Sequence, residues 1–403
     1  MASKILEVKN PIVQDDDIIS QQFHTYTPYT TSYNNNDEIR ITIQSHELNV
    51  LPSESYLLIE FSTAKNDGTP FVRNEAVFAY NSIAHLFSEM RYELNGIEID
   101  RCKSPGITSI LKCMIACKSE DEKSYLLFNQ YSQQNIVAGS YRVILPLRFI
   151  FGFCDDFRKI IMNSKHELIL VRSRSNNNFY TSAEDILRLS VTKIHWKIQH
   201  IFMSDKAKLR MYKMISHKDS LLLPFRSWDL YELPLVPETT RHTWSVKTTI
   251  QVSKPRFVVV AFQTNRNNIL TVDSTLFDHC NISNLKLYLN NERYPYDDMH
   301  LNFGLSHYQE LFYTLQSVQQ KYYNDVSFYN PLGVDPENFF TNRPIFVFDC
   351  SRTDESMKMG MVDVRLEIET QQIIPNNTAA YCLIIHDNLV EYSPFSSMVH
   401  RVI

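Results

Sequence analysis

Asp155 and Asp156 stand side by side after a long apolar run, and a carboxylate pair is what general acid–base work or a hard divalent cation would need. Adjacent side chains point apart in most backbones, however. Two acids ahead of FRKIIMNS also suit the opening turn of a helix, whose dipole favours negative charge there, so the structural reading is preferred. Cys113 and Cys117, four apart, would share one helical face and supply half a metal site. No second pair of cysteines or histidines at ligand spacing accompanies them, and thiols are common core residues. Arg172 and Arg174 in LVRSRSNNN would share a face of an extended segment, where they could meet phosphates or a neighbouring subunit's carboxylates; a solvated strand end is the simpler reading. Trp196, Trp228 and Trp244 with nearby tyrosines could stack on a sugar or base, but packing explains them as well. HExxH, GxSxG and GxxxxGKS are all absent. The sequence therefore offers no catalytic residue, no metal ligand set and no cofactor site, and an enzyme is not expected.

The elements that would hold these residues are mostly strands. Tyr141 to Phe153 is an almost unbroken apolar run, too short to span a bilayer and rich in β-branched and aromatic residues, and is read as a buried strand. One or two helical turns opened by Asp155 and Asp156 follow, then KHELILV as a second strand. Upstream, DEIRITIQ places Ile39, Ile41 and Ile43 on one face, and SYLLIEFSTA (55–64) is a strand closed by the KNDG turn. MRYELNGIEID is a hairpin, because Asn95 and Gly96 supply the two positive-φ positions of a two-residue turn. ITSILKCMIACKS changes to helical period through Ile107, Ile110, Leu111, Met114 and Ile115. RLSVTKIHWKIQHIFM (188–203) alternates as a strand again. Residues 1–20 read as an arm, and the apolar tail FSSMVHRVI as a second arm suited to a neighbour.

Composition narrows the class. The chain has 403 residues, enough for two domains of roughly 200 each. It contains only 8 glycines, about 2% against a usual ~7%, which disfavours folds that cradle phosphates in glycine turns. Asn, Asp, Ser and Pro make the turns instead, as in YNNND, RSNNN and IPNNT. A net charge of −5 argues against a surface that coats nucleic acid. Seven cysteines give no even framework, MASKILEVKN lacks the apolar core of a signal peptide, and no apolar run is long enough to span a bilayer as a helix. Reduced thiols and synthesis inside a cell are expected.

The pattern then starts again. HTWSVKTTIQVS, RFVVVAFQT and NLKLYLNNERYPY read as strands, and KLYLNN at 286–291 repeats RYELNG at 91–96, an offset of 195. RPIFVFDCS stands where the opening apolar run stood, VDVRLEIE where KHELILV stood, and AAYCLIIHDNLVEY where the closing strand stood. SHYQELFYTLQSVQQKYYND is read as a helix between them. Matches in the same order at a nearly constant offset indicate two copies of one architecture. The fold class expected is all-β: two tandem eight-stranded antiparallel jelly rolls with short helical insertions, over residues 21–204 and 205–403.

The order of LNG hairpin, helix, LPLRFIFGF and KHELIL, followed by RPIFVF, DVRLEIE and AAYCLIIHDNLV, resembles the double jelly-roll major capsid proteins of tailless double-stranded DNA viruses. It is most similar to those of Polinton-like and adintovirus-like elements and to related capsid-like proteins encoded in invertebrate genomes, over residues 22–395. The resemblance implies a structural subunit of the virion: a homotrimer forming a pseudo-hexameric capsomer that tiles an icosahedral shell, with penton or minor capsid proteins as further partners. It implies no sequence-specific nucleic-acid binding and leaves an inner membrane open. This chain is short for the loop towers of larger relatives. The alternative from another class is a non-catalytic carbohydrate- or receptor-binding β-sandwich protein.

Overall fold

The computed structural model describes residues 17–44, 49–118, 121–217, 220–246, 255–323, 336–351 and 362–402. Alternation in the sequence becomes alternation in burial. In the first part of the chain, β1 (Ile18–Tyr26), β2 (Glu38–Ile43), β3 (Asn49–Lys65) and β4 (Ala76–Phe78) precede α1 (Ser82–His85). The hairpin β5 (Phe87–Leu94) and β6 (Ile97–Lys103) leads into α2 (Pro105–Ile115) and α3 (Glu122–Phe128). Then come β7 (Gly139–Pro146), α4 (Gly152–Asp156), β8 (Ile161–Met162), β9 (His166–Arg172), β10 (Tyr180–Ser182) and β11 (Leu187–Met203). A bridging helix, α5 (Asp205–Ser216), is capped by Ser204, whose hydroxyl accepts from the Ala207 N–H.

The second part repeats the scheme. β12 (Leu221–Leu233), β13 (Arg241–Val246), β14 (Pro255–Thr264) and the hairpin β15 (Ile282–Leu289) with β16 (Glu292–Tyr294) lead to α6 (Gln309–Tyr322) and α7 (Pro336–Asn342). β17 (Phe346–Asp349), β18 (Val364–Thr370), β19 (Thr378–Ser393) and β20 (Met398–Arg401) complete the chain.

Strand order is the decisive feature. The first part forms sheets ordered β1-β11-β3-β7 and β2-β9-β5-β6; the second forms β12-β19-β14-β17 and β13-β18-β15-β16. Every neighbouring pair is antiparallel, and replacing each strand by its counterpart turns one pair of sheets into the other. Each part is thus an eight-stranded jelly roll, two facing sheets around an apolar filling. Ile39, Ile41 and Ile43 of β2 face Leu168 and Leu170 of β9 inside the first, and Trp196 is fully buried beside Tyr92. Val258, Val260 and Phe262 of β14 fill the second with Leu285, Leu287 and Leu366. The apolar core runs without a break from one jelly roll into the other.

With so few glycines, asparagine carries the left-handed turns: Asn36, Asn74, Asn163, Asn265 and Asn377 all have positive φ, a region its short amide tolerates. In the β5–β6 hairpin, Asn95 (φ 50°) and Gly96 (φ 80°) occupy the two turn positions as the sequence predicts.

Five expectations need correction. The run Tyr141–Phe153 is a strand only as far as Pro146; a 3₁₀ turn over Leu147–Phe149 and then α4 bury the rest, since a continuous apolar segment suits a buried helix equally well. The aspartates end α4 and do not open a helix. Helix α2 stops at Ile115, so Cys113 and Cys117 are not on one helical face; both are buried and free. The tail folds back on its own chain: β20 pairs with β19, and Ser397 and Arg401 reach the β5–β6 hairpin of the first jelly roll. Strand β1 begins at Ile18, within the segment read as an arm, whose residues 1–16 lie outside the described ones, as do 247–253 of HTWSVKTTIQVS.

Candidate functional site

The densest polar chemistry of the molecule lies on the seam where β12 of the second jelly roll crosses α2, β6 and α4 of the first. Gly152 opens α4 because only a bare Cα fits: a Cβ there would overlap the Arg226 carbonyl oxygen and press on the Trp228 ring. That close approach lets Trp228 donate its indole N–H to the Ile150 carbonyl at 3.1 Å, while Phe225 packs edge-on against Phe153 with centroids 5.3 Å apart.

Asp155 and Asp156 do point apart, and each finds its own cation. The Lys112 ammonium lies 2.8 Å from Asp155 Oδ2, with both side chains 2% exposed. Lys112 also donates to the Arg148 carbonyl and sits 4.9 Å from the centre of the Trp228 ring. From the second jelly roll, the Tyr323 hydroxyl donates to the same Asp155 oxygen at 2.6 Å. Burial opposes the charged carboxylate, but Lys112 and Tyr323 outweigh it and hold Asp155 below its ordinary range. Asp156 takes the Arg226 guanidinium in a two-point grip and accepts the Arg226 backbone N–H at 2.9 Å. An N–H on the outer edge of β12 is thereby satisfied by a side chain, which blunts that edge. The guanidinium also donates to the Tyr322 carbonyl at 2.6 Å and lies 4.1 Å from the centre of the Tyr322 ring.

Asp100, on β6, completes the seam. Its Oδ2 accepts the Phe153 N–H and its Oδ1 accepts the Arg101 N–H and the Ser227 hydroxyl. Burial pushes its carboxyl up to about 7 despite those donors. Gln319 of α6 donates to the Met114 carbonyl at the end of α2, and Tyr392 of β19 donates to the Met162 carbonyl. All of these groups are engaged in joining two halves of one chain, and none is presented to a small molecule.

The remaining sequence candidates are not brought together. Arg172 is buried and donates to the Tyr33 and Leu86 carbonyls and to Asn35 and Asn176, while Arg174 lies exposed beyond the strand, so the two do not share a face. Trp196 and Trp244 are core residues of separate jelly rolls and Trp228 belongs to the seam, so no stacking platform forms. Among the described residues, no group of three or more His, Cys, Asp or Glu side chains is placed to hold a metal ion. No helix among them is long and apolar enough to cross a membrane. A cavity of about 320 Å³ beneath α5 is lined by Met162, Met203, Met211 and Ile215 and also by His200, Lys208 and Tyr212, but by no carboxylate, serine or cysteine.

Lys112, Arg226, Asp100, Tyr322 and Tyr323 were not singled out from the sequence. One signal was present: Lys112 is the lone charge inside ITSILKCMI, and a cation in a helix otherwise destined for the core calls for a buried counter-charge.

Comparison with known proteins agrees with this geometry. The family described as double jelly roll-like domain matches residues 76–390. PBCV-1 VP54, as fitted into a reconstruction of the virophage Sputnik, is 10% identical with a TM-score of 0.62, covering 98% of this chain and 99% of that one. The mavirus major capsid protein (11%, TM-score 0.54, 99% and 92%) and the Faustovirus major capsid protein (8%, TM-score 0.58, 95% and 92%) are similar over nearly their whole lengths. At such identities the likeness is one of fold. No curated protein matches the chain in sequence.

Proposed function

The chain belongs to the double jelly roll-like family, and from that membership we propose that it is a major capsid subunit, a structural and non-catalytic protein of an icosahedral DNA virus or virus-like element. The observation that carries this reading is the identical strand order of the two jelly rolls, joined by a seam of buried ion pairs. Two like units per chain allow three chains to surround a three-fold axis with six like units, and such near-hexagonal blocks tile a closed shell. The similar chains from PBCV-1, mavirus and Faustovirus, each part of a viral capsid, support it.

In this reading residues 21–204 and 205–403 are the two units of the capsomer, with the amino-terminal arm facing inward and loops facing outward. The work of the molecule is burial of surface between copies, on the scale of thousands of Å² typical of obligate interfaces. The acidic balance leaves the genome held by confinement, and penton or minor capsid proteins close the shell. The test is the mass and outline of the purified chain. Trimers near three times 47.3 kDa with hexagonal outlines in negative stain support the proposal. A monomer that retains a particular sugar on an array supports a carbohydrate-binding protein instead.

A further inference from the structure

The cavity beneath α5 belongs to neither jelly roll's own filling. Ile201, Met203 and Ala207 form a small apolar cluster apart from the continuous core, with Leu51, Ile160 and Met211 packed against it. α5 roofs this cluster, and the repeated architecture does not call for a roof: β19, the counterpart of β11, turns straight back into β20 with no helix between them. The roof is loosely seated. Ala207 is the only buried residue of α5, while Met211 and Ile215 are half-buried over a space of about 320 Å³. At about 30 Å³ per non-hydrogen atom, the share of a water molecule in the liquid, such a space holds roughly ten atoms.

The walls are graded from apolar to polar. At the closed end stand Met162, Ile201 and Met203, all of them buried. Unbranched thioether side chains adapt to guests of irregular shape. At the mouth stand Asn49, Asn163, Lys208 and Tyr212, which are half-buried or exposed. The charge there has one sign. No carboxylate lies among the described residues that line the cavity, and Asp205, 3.8 Å from Lys208, stands fully exposed on the solvent side of the helix. His200, also in the wall, shares a hydrogen bond with the Tyr26 hydroxyl at 3.1 Å, and burial holds its imidazole down at about 4, so it is neutral at pH 7. Lys208 is therefore the charge that an entering molecule meets.

We propose that this cavity binds a carboxylate carrying a single unbranched apolar chain of about nine carbons, a medium-chain fatty acid. The chain lies against the methionines, and the carboxylate stays at the mouth with Lys208, where the Asn49 and Asn163 amides supply further donors. The site goes beyond the capsid-subunit reading and does not depend on it.

The test titrates the full chain with decanoate, hexanoate, decanol and decyltrimethylammonium by isothermal calorimetry, and follows carbon-13-labelled methionine methyl signals in parallel. Decanoate saturates at one molecule per chain and shifts the methyls of Met162, Met203 and Met211, while Met90, buried in the first jelly roll, keeps its position. Hexanoate, shorter by four methylenes, binds about a hundredfold more weakly. Lys208→Glu weakens decanoate about tenfold and leaves decanol unchanged, and Lys208→Arg binds decanoate as wild type does. A misfolded variant would lose both ligands, so retained decanol binding separates the two cases. The proposal is overturned if decanoate shows no saturable binding, if decyltrimethylammonium binds as tightly, if Lys208→Glu has no effect, or if Met90 shifts along with the three.

Discussion

Replacing Lys112 by Met should unbalance the seam in a way that pH reveals. Lys112 and Asp155 are 2.8 Å apart and 2% exposed, so the substitution leaves a carboxylate in the core with the Tyr323 hydroxyl as its remaining side-chain donor. Such orphaned charges cost about 3–5 kcal/mol. Neutralisation sets a ceiling: protonating an ordinary carboxylate costs about 4 kcal/mol at pH 7 and about 1.5 kcal/mol at pH 5, at 1.36 kcal/mol per unit from a reference near 3.9. The sign differs between the two proteins. In wild type the Asp155 carboxyl is held low, so its contribution is present above the unfolded pKa and lost as pH falls through the folded value. In the variant the folded pKa lies above the unfolded one, so stability is lost as pH rises from about 4 toward neutrality. Urea unfolding at one protein concentration should show Lys112→Met about 4 kcal/mol below wild type at pH 7 and about 1.5 kcal/mol below at pH 5. Lys112→Met combined with Asp155→Asn should regain most of the loss at pH 7. A deficit under about 1 kcal/mol at pH 7, or one equal at both pH values, would refute the reasoning.

Other perturbations test the remaining contacts. Gly152→Ala drives a Cβ into the Arg226 carbonyl, where backbone meets backbone, and should cost about 3 kcal/mol and expose the segment after α5 to limited proteolysis; a change under about 0.5 kcal/mol contradicts the close approach. Asp100, with its carboxyl at about 7, favours the folded state when protonated, so wild type should lose a few kcal/mol as pH rises from about 4 through 7, and Asp100→Asn should flatten that slope in urea titrations. Arg172→Met takes the guanidinium away from the Tyr33 carbonyl and from the Leu86 carbonyl, which keeps the Ser173 N–H, and should lower the unfolding free energy by about 2–3 kcal/mol, with no effect on any nucleic-acid retention that wild type displays.

Periodicity made much of the architecture legible in advance. Ile39, Ile41 and Ile43 are all within 1% of complete burial, and the Asn95–Gly96 turn announces its hairpin through backbone preference alone. The repeat of RYELNG by KLYLNN at 195 residues corresponds to real counterparts, β5 and β15, which hold the same place in their sheets. Local rules failed where the chain is apolar on every side. From Leu147 to Phe153 neither period is visible, and burial by a distant segment decides in favour of helical turns. The seam was illegible for a related reason. Asp156 meets Arg226 and Asp155 meets Tyr323 only because two jelly rolls are packed side by side, and nothing within a few residues of either aspartate records that apposition. Arg172 misleads for the opposite reason: a cation at a strand end usually faces water, but here it ties down three loop segments through their carbonyls and amides.

Native mass spectrometry of the full chain, expressed on its own, bears on the central claim most directly. Two like jelly rolls in one chain predict a closed assembly of three copies, near three times 47.3 kDa, persisting on dilution into the nanomolar range expected of a stable assembly. A folded chain that stays at 47.3 kDa up to the highest soluble concentration would contradict it.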